Sequence, residues 1–377
     1  MGRFRGLAVR QRHAEGHARR CHGGSGHGGS GPGISRKRTA RALPGEDLPM
    51  KTRIAILSFA HMHAWSYADC LRQLPDVELC GIWDDQRKRG REAADRFGAP
   101  FVPDLDRLLS RKPDGVIITA ENVRHRELTE KAAKAGCWVL CEKPIATTVP
   151  DAKAMIRACA KAGVGLGTAF PCRYATPVKL AREKLQAGEL GEIYAVTCTN
   201  HGQSPGGWFA DDRLSGGGAT MDHTVHVADL LRWMLGREFT KVYAEVGNQL
   251  HRRTLKTDDL GSVHMTMQGG IRINHIASWS RPASFPTWGD VTMEFIGEKG
   301  VLWLDAFNQK IRVFDDTAGK LIWDGWGDNP DLGLVADFVD AVRNRRAPSV
   351  TGEDGLRALE VTVAAYKAAR TGKTVTL

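Results

Sequence analysis

Short apolar runs alternate with stretches of helical length between residues 53 and 168, and this alternation constrains the fold more than any other feature. The apolar runs have the composition of buried strands and lie at residues 54–57, 77–83, 115–118, 138–140 and 164–168. Helical stretches separate them, at about 58–74, 86–97, 125–135 and 151–162. Apolar strands that are separated by helices indicate a parallel sheet covered on both faces.

Beyond residue 171 the pattern changes to longer segments in which apolar and polar residues alternate. These segments lie at 192–199, 241–248, 261–267, 271–279, 291–296 and 300–304. A period of two predicts half-buried strands, here in a large, open and mostly antiparallel sheet. The final 45 residues are again helical in pattern. We therefore predict an α/β protein with a nucleotide-binding type of domain at 50–170. An α+β domain at 171–377 follows, with final helices able to pack back on the first domain.

Residues 1–49 hold ten Lys and Arg residues and three acidic ones, so they carry +7 of the formal charge of +10. Because the segment has no apolar period, we expect a disordered basic leader. It lacks the apolar core of a secretory signal, and its basic run at 36–38 is too short for a strong nucleic-acid footprint. A transit peptide and a nucleic-acid arm stay open. Met50 leads directly into a strand, and we favour it as the native start, which would leave 1–49 untranslated.

Composition narrows the class of protein. Hydrophobic residues make up 42% of the chain and charged residues 25%, as is ordinary for a soluble globular protein. No run of eighteen apolar residues is present, so we expect no membrane span. The eight cysteines stand singly, without a Cys-x-x-Cys pair, as reduced thiols do. We expect a cytoplasmic protein that binds neither membrane nor nucleic acid.

The first turn from strand to helix is the place where a dinucleotide-binding domain holds a pyrophosphate. The glycine fingerprint Gly-x-Gly-x-x-Gly is absent here. Ser58, Ala60 and Ala64 nevertheless keep small side chains at this turn, which permits close approach of a ligand to the backbone. His61 and His63 could donate to phosphate or lie on the helix face. We predict cofactor contacts at Ser58, Ala60, His61 and His63.

Asp84 ends the second predicted strand, 26 residues after Ser58. An acid at this place is suited to hydrogen-bond an adenosine ribose, and its charge disfavours a 2′-phosphate. Its alternative role is to cap the helix at 86–97. We predict the ribose role and NAD as the cofactor, while Arg87 and Lys88 keep NADP possible.

Two further groups of residues carry reactive side chains. Lys143 follows the fourth predicted strand, at the edge where parallel sheets bind ligands, and Pro144 fixes the chain direction after it. Asp222 and His226 are four residues apart in a helical stretch after a glycine run, so they share one helix face. A histidine beside a carboxylate is a plausible general base. Asp222, His223 and His226 could instead hold a metal, but we expect none.

These groups resemble the motifs of the Gfo/Idh/MocA oxidoreductases. Residues 142–144 resemble the Glu-Lys-Pro motif of that family, and 121–125 resemble its asparagine-x-x-histidine loop. Residues 216–229 resemble its glycine-run signature with aspartate and histidine, and 188–193 and 348–377 match as well. The resemblance covers about residues 51–377. The missing glycine fingerprint is the departure.

The resemblance implies an N-terminal Rossmann domain and a C-terminal open sheet that forms the interface of a homodimer or homotetramer. It implies that Lys143 contacts substrate and nicotinamide, that His226 is the acid/base, and that Asp222 binds or orients a substrate hydroxyl. It places further cofactor contacts at Asn122, His125 and Glu142. It places further substrate contacts at Arg173, Tyr174 and His223. The implied substrates are sugars, polyols and their derivatives.

The resulting hypothesis is reversible oxidation of a secondary alcohol on a sugar, polyol or cyclitol. In it, His226 removes the hydroxyl proton, Lys143 stabilises the oxygen, and Asp222 holds His226 or a neighbouring hydroxyl. One alternative uses transient oxidation at C3 to cleave a glycoside by elimination, with an extra base at His201, His223 or Tyr174. Another alternative is a non-catalytic sugar or nucleotide sensor, which only the altered turn at 58–64 supports.

Overall fold

The computed structural model of the protein describes residues 51–317, 319–325 and 327–377. The predicted leader at 1–49 lies outside the described residues. Within the described ranges, no helix is both long enough and apolar enough to cross a membrane.

The first half of the described chain forms a parallel sheet with helices on both faces, as predicted. Its strands are β1 (Thr52–Leu57), β2 (Val77–Trp83), β3 (Gly115–Ile118), β4 (Trp138–Cys141) and β5 (Leu166–Thr168). Its helices are α1 (His63–Gln73), α2 (Arg87–Phe97), α3 (Leu105–Ser110), α4 (His125–Lys134) and α5 (Val149–Ala162). The strand order is β2-β1-β3-β4-β5, with every pair parallel. The loops after β1, β2, β3 and β4, which carry the predicted site residues of this domain, therefore meet at the carboxyl edge of the sheet.

The short helix α3 was not expected from the sequence. Asp104 caps it by accepting a hydrogen bond from the backbone N–H of Arg107, and Leu105, Leu108 and Leu109 bury its apolar side. A helix of only six residues gives too short an apolar period to be recognised in the sequence.

The second half contains a sheet of seven strands, a separate hairpin and five helices. The strands are β6 (Ile193–Gly202), β7 (Phe239–Gly247), β8 (Leu260–Met267), β9 (Arg272–Ser278), β10 (Gly289–Gly297), β11 (Gly300–Asp305), β12 (Lys310–Asp315), β13 (Lys320–Gly325) and β14 (Val375–Thr376). The helices are α6 (Thr176–Gln186), α7 (Asp212–Ser215), α8 (Ala219–Leu235), α9 (Pro330–Asn344) and α10 (Gly352–Thr371). Three short 3₁₀ turns lie at Asn122–Arg124, Pro171–Tyr174 and Gly207–Ala210.

The seven strands run in the order β11-β10-β6-β9-β8-β7-β14. Their pairs are antiparallel except for β6 and β9, which are parallel. The prediction of a mostly antiparallel open sheet is therefore confirmed, and one parallel pair makes the sheet mixed. Along β8 the buried residues alternate with more exposed ones, because one face packs on α8 while the other stays open.

Helices from the end of the chain complete both halves. Leu334, Val335 and Phe338 of α9 share a buried cluster with Ile54 of β1 and Tyr67 of α1. Helix α10 packs between α8, α5 and β7. The described residues from 51 onward accordingly belong to one compact unit. The carboxyl edge of the parallel sheet thus faces the beginning of α8, and the candidate site lies where they meet.

Candidate active site

Lys143 and Asp222 form an ion pair between the parallel sheet and helix α8. Lys143 follows β4 and Asp222 lies in the first turns of α8, and Lys143 Nζ lies 2.5 Å from Asp222 Oδ1. Both residues are buried. The structure therefore brings together two groups that lie 79 residues apart in sequence, as predicted for the site.

The glycine run before α8 positions Asp222 through close backbone packing. A Cβ on Gly218 would lie 1.8 Å from the carbonyl oxygen of Asp258. The Asp258 carboxylate accepts hydrogen bonds from Gly218 N and Thr220 N, both at 2.8 Å, and so caps the start of the helix. The absence of a side chain at Gly218 thus admits the neighbouring segment at Asp258.

The Asp222 carboxylate is surrounded by donors. Besides Lys143 at Oδ1, its Oδ2 accepts from Trp279 Nε1 at 3.1 Å and lies 3.2 Å from His223 Nε2. Burial by itself would raise the pKa of Asp222, but the charge of Lys143 and the contact with His223 outweigh it and hold that pKa well below its usual range. Asp222 is therefore an anion that fixes the lysine ammonium.

His226 lies one helical turn beyond Asp222 and is also buried. Its Nδ1 has no hydrogen-bond partner among the described residues, and its ring meets Phe170 edge-on with 5.7 Å between centroids. Burial, followed by the positive charge of Lys143, holds the pKa of His226 well below its usual range. His226 is thus a neutral imidazole at neutral pH and able to accept a proton. No hydrogen bond joins it to Asp222 in the described structure, so the expected support of His226 by Asp222 is not found.

Glu142, the residue before the lysine, ties the loop after β4 to helix α1. Its Oε1 lies 2.9 Å from His63 Nδ1 and accepts from Tyr67 Oη at 2.6 Å. Its Oε2 accepts from the backbone N–H of Lys143 at 2.9 Å. Burial would raise the pKa of Glu142, but His61 and His63 outweigh it and lower that pKa. Burial by itself would lower the pKa of His63, but the Glu142 carboxylate outweighs it and raises that pKa above its ordinary value. A charged Glu142 thus orients His63 and the catalytic loop.

His61 points into the same buried space. Its Nδ1 accepts from the backbone N–H of His63 at 3.1 Å, and its Nε2 is buried without a hydrogen-bond partner, 3.8 Å from Glu142 Oε2. Burial lowers the pKa of His61 to about 3, so the ring is neutral. Because Nδ1 accepts a hydrogen bond, the proton of the neutral ring lies on Nε2. His61, His63 and Glu142 are close enough to surround a metal ion, but this tautomer offers a proton where a ligand would need a lone pair.

The backbone at Ser58 takes the place of the missing first glycine. Ser58 has φ of 77°, in the left-handed region that favours glycine. Its Oγ accepts from Ala60 N at 3.1 Å and from Arg89 Nη2 at 3.2 Å, which stabilises the strained turn. Trp208 Nε1 donates to Ala60 O at 3.1 Å from the second half of the chain. The tight turn of a dinucleotide-binding domain is thus formed without its glycines.

Asp84 differs from its predicted role. Its carboxylate accepts from Phe59 N and Gln86 N, both at 2.7 Å, and from Arg89 Nε at 2.8 Å, and its side chain has no exposed surface. The carboxylate therefore braces the turns after β1 and β2, and Arg89 covers it. A ribose hydroxyl reaches Asp84 only if the Arg89 side chain moves aside.

Asn122 and His125 also serve the protein framework. Asn122 Nδ2 donates to Ser215 O at 2.8 Å, while its Oδ1 is buried without a partner. His125 is fully buried, with its ring nitrogens 3.0 Å from Pro144 O and 3.1 Å from Ala120 O. His125 consequently braces the turn after Lys143 and has no free surface for the cofactor contact that the sequence suggested.

Arg173 and Tyr174, for which the resemblance implied substrate contacts, are both engaged by carboxylates of the protein. Arg173 is buried in an ion pair with Asp229, and its Nη2 lies 3.2 Å from Asp354 Oδ1. Tyr174 Oη donates to Asp337 Oδ2 at 3.1 Å, and burial raises the pKa of Tyr174 above its usual value. Neither side chain is positioned to touch a substrate held by Lys143.

The other candidate bases of the elimination alternative are engaged as well. His201 Nδ1 lies 3.1 Å from Asp290 Oδ1. His201 points to the face of β6 opposite to that of Asn200, its neighbour in the strand. His223 Nδ1 lies 2.9 Å from Asn200 O, while its Nε2 faces Asp222. His223 thus reaches the site, where it supports Asp222.

Several residues at the site were not identified from the sequence: Tyr67, Arg89, Asn200, Trp208 and Trp279. Tyr67 is four residues after His63 on α1, so helix periodicity could have indicated their pairing. Trp279 comes directly after β9, at the end of an alternating segment, but only the tertiary structure brings its indole N–H to Asp222.

The residues at the edge of the parallel sheet fit a dinucleotide. Ser58 provides the tight turn, Ala60 is small, and two buried polar atoms without partners, His61 Nε2 and Asn122 Oδ1, are available as a donor and an acceptor. Buried polar atoms are seldom left unpaired in a native protein, so their presence at this edge favours a bound polar ligand.

Comparisons with known proteins identify the family of the chain. Residues 55–170 match the model of the oxidoreductase family with an NAD-binding Rossmann fold, and 178–303 match the GFO/IDH/MocA C-terminal domain. Myo-inositol 2-dehydrogenase of Thermotoga maritima is 26% identical over 82% of this chain and 94% of its own. D-glucoside 3-dehydrogenase of Escherichia coli is 28% identical over 86% of this chain and 97% of its own.

Solved structures give the same result. GenD2 from gentamicin A biosynthesis, in complex with NAD, is 25% identical, with a TM-score of 0.81 over 90% of this chain and 99% of its own. The aldose-aldose oxidoreductase of Caulobacter crescentus, complexed with glycerol, is 25% identical, with a TM-score of 0.74 over 87% of this chain and all of its own. The chain is therefore an NAD-binding enzyme of the dehydrogenase and reductase type and belongs to the Gfo/Idh/MocA oxidoreductase family.

Proposed function

We propose that the enzyme reversibly oxidises a secondary hydroxyl of a sugar, polyol or cyclitol. His226 accepts the hydroxyl proton, and the Lys143 ammonium donates a hydrogen bond to the oxygen that is becoming a carbonyl. Asp222 holds Lys143 in place and keeps the pair neutral overall. Bound NAD supplies the hydride acceptor. In the reverse direction Lys143 polarises a ketone and protonated His226 returns the proton.

The observation that carries this proposal is a neutral imidazole beside a fixed ammonium in a buried space. A general base must be unprotonated at working pH, and His226 meets this requirement because burial and Lys143 lower its pKa. The ammonium then stabilises negative charge that develops on the substrate oxygen, in surroundings from which water is largely excluded. The two groups divide the tasks of proton acceptance and oxygen stabilisation.

Cofactor binding is assigned to the loops at the edge of the parallel sheet. Ser58 and Ala60 give the pyrophosphate access to the backbone at the start of α1, and His61 and His63 add donors there. Asn122 contributes its unpaired Oδ1, and Lys143 faces the nicotinamide end. Glu142 acts through His63, Tyr67 and the backbone of Lys143.

The test is a calorimetric titration with NAD⁺ followed by a panel of inositols, aldoses and methyl glycosides, in which NADH absorbance is measured. His226→Ala should lower kcat by about 10²–10⁴-fold and leave the Kd for NAD⁺ within threefold of wild type. Tyr174→Phe is the matched control, because Tyr174 lies on Asp337 away from the site. Unchanged turnover in His226→Ala would reject the assignment of the base.

Assembly and location are part of the same proposal. The open face of the seven-stranded sheet exposes the apolar side chains of Ile276, Ile296, Val301 and Trp303, and we assign the interface of a homodimer or homotetramer to this face. The seven cysteines among the described residues are all buried and free, which suits a reducing compartment and supports a cytoplasmic location. Light scattering of wild type and Trp303→Glu measures the assembly: a smaller molar mass is expected for the variant.

A further inference from the structure

Trp288 lies beside the site with much of its indole uncovered. Its side chain is 44% exposed, on the segment that leads into β10. A Cβ placed on Gly202 would lie 2.9 Å from His223 Cε1 and 3.1 Å from Trp288 Nε1. His223 and Trp288 therefore both approach the backbone of Gly202 closely, which is possible because residue 202 has no side chain.

Hydrogen bonds hold the backbone around Trp288 in place. Gln203 N donates to Trp288 O at 3.0 Å, and Gln203 Nε2 donates to Thr287 O at 3.1 Å. At the other end of this loop, Arg281 N donates to Gly202 O at 2.8 Å, and the Arg281 guanidinium pairs with Asp290. The loop at 281–290 is thus fixed to the end of β6 at both of its ends. The exposed position of the indole is consequently a property of a braced segment.

A single exposed tryptophan is common on protein surfaces and needs no explanation by itself. Here three independent features coincide: an exposed indole, a backbone that fixes it, and a position next to Gly202 that it shares with His223. His223 lies between Trp288 and Asp222, and the Asp222 carboxylate binds the Lys143 ammonium. The indole therefore lies outward of the reacting centre, separated from Lys143 by the His223 and Asp222 side chains.

This arrangement bears on the size of the substrate. A ring whose hydroxyl is held by Lys143 and His226 lies inward of His223. A group that rests on Trp288 must then belong to the part of the substrate that projects outward. Aromatic faces stack on the apolar C–H face of a sugar or on an aryl ring, and the indole N–H can donate to an oxygen at its edge.

We propose that Trp288 forms a second subsite, which binds the aglycone or the second ring of a glycoside by stacking. The placement of the inner ring depends on the proposed function of Lys143 and His226. The contact of the outer group with Trp288 does not depend on that function. The preferred substrate is accordingly a glycoside with a planar or cyclic outer group, and a free monosaccharide or inositol uses only the inner part of the site.

The test compares phenyl β-D-glucopyranoside with methyl β-D-glucopyranoside, which share the inner ring and differ in the outer group. Wild type, Trp288→Ala and Trp288→Phe are assayed with NAD⁺, and binding of both glycosides to the NADH complex is measured by saturation-transfer NMR. Phe314→Ala is the control, because Phe314 is an aromatic residue of β12 that is 78% exposed. Light scattering verifies that the molar mass is the same in all four proteins.

Trp288→Ala should raise KM and Kd for the phenyl glycoside about tenfold and change those for the methyl glycoside less than twofold. Trp288→Phe should recover most of the loss, and kcat should stay within threefold throughout. Equal losses for the two glycosides, or no loss for either, would overturn the outer subsite. If wild type oxidises neither glycoside, the proposed function fails for this substrate. The NMR comparison still decides the subsite, since it requires no turnover, and failure of both glycosides to bind overturns it.

Discussion

The Nζ atom of Lys143 lies 2.5 Å from Oδ1 of Asp222, so a lysine from the end of the parallel sheet is held by a carboxylate on α8. The other carboxylate oxygen is bound by Trp279 and faces His223, both from the second half of the chain. The position of the ammonium thus depends on the second half, although the lysine itself belongs to the first. The Lys143 ammonium is held in this position only when α8 and the parallel sheet are packed together.

Asp222→Asn should lower kcat by about 100-fold, because an amide cannot anchor the ammonium by charge and a small displacement of a catalytic group has an effect of this size. KM for NAD⁺ should change less than threefold. Trp279→Phe is the matched control: it removes one hydrogen bond to Asp222 but keeps the charge, and kcat should fall less than tenfold. An Asp222→Asn enzyme with wild-type kcat would show that Lys143 needs no anchor.

His226 should remain neutral well below the pH at which a free histidine titrates. Burial and Lys143 both favour the neutral form, so the base stays competent as the pH falls through 6.5, the ordinary pKa. The kcat/KM for alcohol oxidation should therefore show no loss from protonation of His226 near that pH.

Histidine NMR resonances, assigned by comparison with His226→Gln, measure this titration directly. In Lys143→Met the repulsion by the ammonium is absent, so the pKa of His226 should rise toward 6.5 and its titration should move to higher pH. Asp222 and His223 also face His226, and Phe170 covers one edge of its ring. An unshifted His226 titration in Lys143→Met would mean that burial alone sets its pKa.

Arg89 should influence the choice between NADH and NADPH. Its guanidinium joins Asp84, Asp85 and Ser58 at the turn where the adenosine ribose is expected. An arginine at this place favours a 2′-phosphate, and an uncovered Asp84 favours the ribose hydroxyls. Arg89→Ala should weaken NADPH binding about tenfold and leave NADH binding unchanged or tighter, as measured by calorimetry. Arg91→Ala, at an exposed position of the same helix, is the control. Equal weakening of both cofactors would assign Arg89 to bracing the turn.

The fold could be predicted because its signals are local. Apolar runs separated by helical stretches define the parallel sheet, and alternating segments such as 261–267 define the open sheet. The pairing of β6 with β9 in parallel was not accessible, because it depends on a crossover between strands that are distant in sequence. Likewise, the alternation of apolar and polar residues predicts that one face of the sheet is open. It does not indicate whether another chain packs on that face.

At the site, sequence reasoning anticipated which residues lie close together better than it anticipated their surroundings. Lys143, Asp222 and His226 do lie together, because the end of a strand and the start of a helix are geometrically defined places. Asp84 and His125 occupy the expected loops, yet their polar atoms are already hydrogen-bonded within the protein. Asp84 binds backbone N–H groups and Arg89, and His125 binds backbone carbonyl oxygens. The groups that cover these two side chains come from 2 to 25 residues away for Asp84 and from 5 and 19 residues away for His125, and periodicity carries no information about which of them will meet.

Arg173 and Asp229 provide the last test, since the ion pair between them replaces the substrate role expected for Arg173. Arg173→Met should lower the thermal midpoint, because it leaves the buried Asp229 carboxylate without its guanidinium. Breaking a buried pair on one side typically costs about 3–5 kcal/mol of stability. The double variant Arg173→Met/Asp229→Leu should be more stable than Arg173→Met, because no buried charge of the pair is left alone. KM for the sugar should change less than threefold in both variants, and a large rise in KM with an unchanged midpoint would return Arg173 to the substrate site.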